Sequence, residues 1–194
     1  TESIRRLETD ELDLSEQGLG RFDVSTPEKK SIEARRIILL LKHQQPAQRA
    51  SLTEVIASRS HGDLPKNLMM TSAQVRAMSE QGMCIGGHTV SHPILATLEQ
   101  DAARREIQGG KEAIEAILDR EITLFAYPNG KPGADYLARD IQLVEDAGFT
   151  AAVTTEWGVS QKSTHRYEIP RFTPWDNSPA RFMGRMALMY RNAS

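Results

Sequence analysis

From residue 68 onward, short β-rich runs alternate with helical periods, and this alternation limits the possible folds more than any other feature of the chain. Thr71-Ser72-Ala73-Gln74 has the form of a capping box, with Val75 and Met78 as the expected buried face of the helix it opens. Gly82 closes that helix. Residues 83–85 read as a first strand, and 98–118 as a long amphipathic helix with Ile107, Ala113, Ile114 and Ile117 inward. A second strand is expected over 122–127, and a helix carrying Leu137, Ile141 and Val144 over 136–147. Two more strands are expected, over 149–154 and 168–172. Ser178-Pro179 opens a last helix with Phe182, Met186, Leu188 and Met189. Such alternation is satisfied by βαβ units around a parallel sheet, so the expected class is α/β.

The chain changes character near residue 67. Its first thirteen residues carry five acids and two arginines, and Gly18 and Gly20 break the stretch after them. Residues 21–24 read as a short strand or the edge of a lid. Thr26 is a natural cap, Pro27 suits the first helical position and Glu28 the positive helix end. Ile32, Ile37, Leu40 and Leu41 mark that helix, and Leu52, Val55 and Ile56 a second one before Gly62. The expectation is a helical appendage over 1–66, without chemistry of its own, and then an α/β domain over 67–194.

Composition removes several functional classes. Lys and Arg number 24 against 26 Asp and Glu, a net charge of -2, so no basic excess exists for binding nucleic acid by bulk electrostatics. The longest apolar run, 37–41, is far too short for a membrane span. The single cysteine, Cys84, excludes an internal disulfide and a cysteine-rich zinc site, and its apolar neighbours suggest a buried bystander. The chain starts on Thr without a visible signal peptide, which reads as a processed or cloned segment of a soluble, bacterial-type protein and leaves its compartment open.

The chemistry-bearing residues cluster at the expected strand ends. In Gly86-Gly87-His88-Thr89-Val90-Ser91-His92-Pro93, two glycines free the backbone for a turn, and one helical turn would put both imidazoles on one face. Two such imidazoles suit a divalent metal, with a carboxylate as the usual third ligand. A bare His-x3-His also arises by chance; the flanking glycines, the proline and the strand-end position favour His88 and His92 as ligands. Phe125-Ala126-Tyr127-Pro128-Asn129-Gly130 is a strand-to-turn signature, read either as a plain turn or as one presenting the Tyr127 N–H to an oxyanion. Ile169-Pro170-Arg171-Phe172-Thr173-Pro174-Trp175-Asp176 offers Arg171 to a carboxylate or substrate. It also offers Trp175, like Trp157 after the third strand, as a sugar-stacking face. An edge strand with a packing tryptophan is the plain alternative. His43, His61 and His165 sit in polar surroundings and read as surface residues.

In this order and spacing, Leu68-Met69-Met70-Thr71, the His-Thr-x-x-His-Pro run, the Phe-x-Tyr-Pro-x-Gly run and Ile169-Pro170-Arg171-Phe172 resemble the polysaccharide deacetylases. These are the NodB-homology group of carbohydrate esterase family four, and the resemblance spans about residues 68–176. It implies a distorted (β/α) barrel and a divalent metal, usually zinc. It implies removal of acetyl groups from N-acetylglucosamine polymers, peptidoglycan or acetylxylan. His88 and His92 match the metal histidines, and Tyr127 the residue whose backbone N–H helps form the oxyanion hole. Residues 1–66 resemble the helical insertion that some members carry before the His-x3-His strand. The family's Thr-Phe-Asp-Asp-Gly motif supplies its general base and third metal ligand, and this chain contains no Asp-Asp pair. The late histidine that protonates the leaving group has no counterpart either, since His165 precedes its strand.

The expectation is therefore the later portion of a deacetylase, an incomplete barrel holding part of the site. Candidate catalytic residues are Tyr127 and Arg171, candidate substrate contacts Trp157, Trp175 and Asn129, and candidate metal ligands His88 and His92. Asp176, Glu156 or a neighbouring chain are the available replacements for the missing carboxylate. An unclosed barrel exposes a strand edge, for which self-association, including exchange of the N-terminal segment, is a remedy. Three functions are compatible with these residues: a metal-dependent carbohydrate deacetylase or ester hydrolase, a non-catalytic carbohydrate-binding remnant, and an assembly domain.

Overall fold

A computed structural model describes residues 1–62, 64–65, 67–172 and 176–192. The chain forms two compact units, Thr1–Met70 and Thr71–Ser194.

The first unit is not purely helical. After the short helix α1 (Glu2–Arg5), β1 (Glu11–Leu14) and β2 (Gly20–Asp23) pair as an antiparallel hairpin, with Leu12 opposite Phe22 and Asp13 opposite Arg21. Alternation explains it: Leu12, Leu14, Phe22 and Val24 point inward and are almost fully buried. The acids between them face out, where Arg21 meets Glu11 at 3.5 Å and Asp13 at 3.2 Å. A charge-dense reading of the first residues hides this two-residue period. Helices α2 (Pro27–Leu41) and α3 (Pro46–Ser58) complete the unit. Thr26 caps α2 as expected, its hydroxyl accepting from the Lys29 N–H at 3.2 Å. Ala34, Ile37 and Leu41 of α2 join Leu52 and Ile56 of α3 in the core, whereas Ile32 and Leu40 are exposed.

The second unit keeps the α/β alternation. Its elements are α4 (Ser72–Glu80), α5 (Gln100–Leu118), β3 (Leu124–Ala126), α6 (Ala138–Asp146), β4 (Ala151–Val153) and α7 (Pro179–Asn192). The capping box at Thr71 and Gln74 forms in both directions. β3 and β4 are parallel, with Phe125 opposite Ala152. Gly87 bridges to Phe125 on one side and Ile169 to Val153 on the other, both in parallel. Four chain passes thus lie side by side, joined by α5, α6 and a loop. Phe125, Phe149, Ala152, Ile107, Val144 and Tyr127 pack between the passes and the helices.

Several expectations change here. Residues 83–85 do not form a strand; Gly87 alone meets the sheet, through its N–H to Leu124 O (2.8 Å) and its carbonyl accepting from the Ala126 N–H (2.9 Å). Met83 and Cys84 are consequently exposed, and Cys84 is not a buried bystander. Val75 and Met78 are only half-buried. The deepest face of α5 is Ala103, Ile107 and Gly110, with Ala113 outside, and Leu188 of α7 faces solvent. Among the described residues no helix is long and apolar enough to cross a membrane.

Candidate functional site

The loop from Gly86 to Pro93 leaves the edge of the parallel array, and its glycines are required for a reason other than turning. Neither has a positive φ. A Cβ on Gly86 would lie 2.7 Å from Leu124 O, and one on Gly87 2.7 Å from Phe149 Cζ, so the backbone presses directly on its neighbours. The turning is done by Thr89 (φ 65°) and His92 (φ 56°), both left-handed. No helical turn forms, yet the two imidazoles meet, with ring centroids 4.7 Å apart and planes at 74°. His88 Nδ1 lies 2.6 Å from the Ala126 carbonyl. A carbonyl only accepts, so Nδ1 carries the proton and Nε2 keeps its lone pair, the state in which an imidazole ligates metal. His88 retains exposed surface, but desolvation of its inner side pushes its pKa below the ordinary imidazole value. The Ala126 bond works in the opposite direction, and the charges of His92 and Arg171 add to the lowering. Arg171, itself exposed, thereby stands close enough for its charge to be felt at His88.

Tyr127 is fully buried, its ring stacked on Tyr136 at 3.8 Å and edge-on to Phe125. Burial, then the nearby Glu168 and Asp140 carboxylates, pushes its phenol well above the ordinary value. Its N–H donates to Val153 O at 3.3 Å, a long bond that extends the β3–β4 ladder, and so is not offered to an oxyanion in this structure. The turn beyond is pinned to the exit of β4: Thr155 donates through its hydroxyl to Asn129 O (2.6 Å) and through its N–H to Gly130 O (2.9 Å). Asn129 is half-buried at φ 57°.

Trp157 is 52% exposed, with Phe172 edge-on at 5.6 Å and the Arg185 guanidinium 4.9 Å from its ring centre. Beside it Gly158, Pro170, Phe172, Met186, Met189 and Tyr190 line a groove of about 320 Å³. Trp175 lies outside the described residues. Asp176 pairs with Arg185 at 3.4 Å, and Glu156 is exposed. Among the described residues no set of three His, Cys, Asp or Glu side chains gathers to hold a metal. His43, His61 and His165 are exposed, His61 lying 3.5 Å from Glu8. One residue escaped the sequence reading. Glu106 of α5 accepts from the loop N–H groups of Val90 and Ser91, a role that helical periodicity cannot reveal.

A model of the polysaccharide deacetylase family matches residues 30–152. The putative polysaccharide deacetylase YxkH of Bacillus subtilis is 26% identical over 102 residues, 53% of this chain and 35% of that protein. An uncharacterised 30.6 kDa protein of Geobacillus stearothermophilus is 25% identical over 97 residues, 48% of this chain and 36% of its own length. The matched stretch is thus about a third of each relative's length. The Streptococcus pyogenes deacetylase PplD, solved in complex with acetate, superposes with a TM-score of 0.57 at 24% identity, over 62% of this chain and 52% of its own. A polysaccharide deacetylase from Bacillus cereus gives 0.53 at 15% identity, over 70% and 46%. These two show a shared fold. The family match starts inside α2, earlier than the motifs alone suggest, and ends in β4. Covering well over half of the sequence, it shows that the chain belongs to the polysaccharide deacetylase family.

Proposed function

We propose that this chain supplies the metal-holding and substrate-facing part of a hydrolase that removes acetyl groups from N- or O-acetylated polysaccharide. The observation that carries the reading is the imidazole pair: His88 and His92 meet at 4.7 Å, and His88 is fixed by its Ala126 bond in the tautomer that leaves Nε2 open. The donor set suits a divalent ion, zinc foremost, as two of the three protein ligands a hydrolytic site ordinarily uses. When bound, such an ion polarises an acyl oxygen and acidifies a water molecule. The chain's own groups do the remainder. Arg171, whose charge is felt at His88, is the candidate group to steady an acyl oxyanion. Trp157 presents an apolar face for a sugar ring, with Trp175 and Asn129 as further contacts. The Tyr127 N–H would join only if its long ladder bond to Val153 opened. The family's base and third ligand have no replacement in Asp176, which is engaged by Arg185.

A second reading, a carbohydrate-binding or assembly remnant without turnover, draws support from the exposed Trp157. Metal content by plasma mass spectrometry, beside acetate release from acetylated xylan and N-acetylglucosamine oligomers, separates the two. About one zinc per chain, lost in His88→Ala, is expected under the metal-site reading. Zinc retained by His88→Ala would remove that reading, and glycan binding without metal or acetate release would establish the second.

A further inference from the structure

We propose that Glu106 is the positioning residue of the His88–His92 pair, holding the backbone of the loop that carries both imidazoles; the assignment rests on the metal-site reading above. The loop turns through left-handed conformations at Thr89 and His92, and for non-glycine residues these persist only where the surroundings enforce them. Val90 and Ser91, between the two histidines, lie in neither helix nor strand. What enforces the turn is a side chain sixteen residues beyond Val90. Glu106 Oε2 accepts from the Val90 N–H at 2.9 Å and the Ser91 N–H at 2.8 Å, and Oε1 accepts from the Ser91 hydroxyl at 2.7 Å. Bonds to an ionised carboxylate are stronger than neutral ones, and two successive N–H groups converging on one oxygen fix the peptide planes between them. On the inner side, Thr89 Oγ1 accepts from the His92 N–H at 3.1 Å.

The same face of α5 is cut back to admit the loop. A Cβ on Gly110 would lie 2.8 Å from the Thr89 carbonyl carbon, and one on Gly109 3.2 Å from Val90 Cγ2. Positions 106, 109 and 110 are neighbours on one helix face, so α5 meets the loop with one carboxylate and two bare stretches of backbone. Both oxygens of Glu106 are occupied by the loop. Among the described residues it does not gather with His88 and His92 as a third donor, and its influence on a bound ion passes through the placement of the two histidines.

The test uses the full chain as wild type, Glu106→Ala, Glu106→Asp, Glu106→Gln and His88→Ala. Amide and imidazole NMR signals are recorded without metal, and zinc affinity is then measured against a competing chelator. Glu106→Ala should move the Val90 and Ser91 amides and both histidine ring signals while the Tyr136 amide stays in place. It should also weaken zinc binding about tenfold or more, as loss of a ligand-orienting partner does. Glu106→Asp keeps the charge but falls short of the loop, and should behave alike even if the alanine variant folds poorly. Glu106→Gln retains an acceptor for both N–H groups and should recover most of the affinity. Unmoved ring signals with wild-type affinity in Glu106→Ala or Glu106→Asp overturn the assignment, and so does a glutamine variant as weak as alanine. Zinc held equally well by His88→Ala would count against the metal site itself. The metal-free ring signals would still decide whether Glu106 positions the pair.

Discussion

A carbonyl 2.6 Å from His88 Nδ1 fixes the tautomer of that imidazole, and the ring of His92 lies alongside it. The spacing of His88 and His92 was legible in the sequence, but the means of bringing them together was not. Sequence reasoning supplies a helical turn, whereas the loop uses two left-handed residues whose enforcement comes from α5. Away from the histidines, Asp23 is a carboxylate held well below its ordinary value. It accepts from Lys29 Nζ at 2.7 Å, from the Ser25 hydroxyl at 2.7 Å and from the Ser25 N–H at 3.1 Å, which holds its pKa down to about 2. The folded chain therefore binds fewer protons here than the unfolded chain does between the ordinary carboxylate value and about 2. The stabilisation is complete above the ordinary value and disappears as the pH falls through that window. Asp23→Asn should flatten this part of the acid limb, measured by urea denaturation at stepped pH. An unchanged slope would show that Asp23 does not contribute to it.

At the level of the element, helix starts were the most readable feature, because capping chemistry is local. Thr26 and Thr71 cap α2 and α4 as their sequences require. Thr71→Ala should cost about 1 kcal/mol in thermal or chemical unfolding. Strand lengths were overestimated: the parallel strands are three residues each, and the expected strand over 122–127 continues past β3 only through buried Tyr127, whose N–H makes one last long ladder bond. Of the first unit's hairpin, the strand over 21–24 was offered by the sequence, but β1 and the pairing were missed because only Leu12 and Leu14 of β1 are buried, among acids that dominate the local composition. Phe149 tests the packing between elements. It is 2% exposed, tilted on Phe125 at 5.1 Å, and closes the space behind Gly87. Phe149→Ala should destabilise the second unit by about 3–5 kcal/mol, read from denaturant midpoints. A loss under about 1 kcal/mol would mean that the site collapses around the gap.

For the whole molecule, the sequence conveyed the α/β class and the order of its parts, since alternation of period is visible without knowing any contact. It could not convey which apolar residues stay uncovered, because that depends on what lies beside each pass of the sheet. Met83 is 49% and Leu124 42% exposed, with Cys84 also uncovered ahead of the Gly87 pass. Uncovered apolar side chains of this kind favour self-association. Light scattering across a range of concentrations should give a mass above the 21.7 kDa of one chain. A constant single-chain mass would remove the idea, and Leu124→Lys should return an associated form to that mass.

The seat that Gly110 provides for the Thr89 backbone also bears on how such sequences can drift. The loop and α5 are separate stretches of chain, yet neither can change freely. An alanine at position 110 demands a different loop, and a loop without its left-handed turn leaves the Glu106 carboxylate without its N–H partners. Inheritance should therefore treat the two stretches as one unit. A recombinant that takes the histidine loop from one lineage and the helix after it from another would lose that fit, even with both histidines intact.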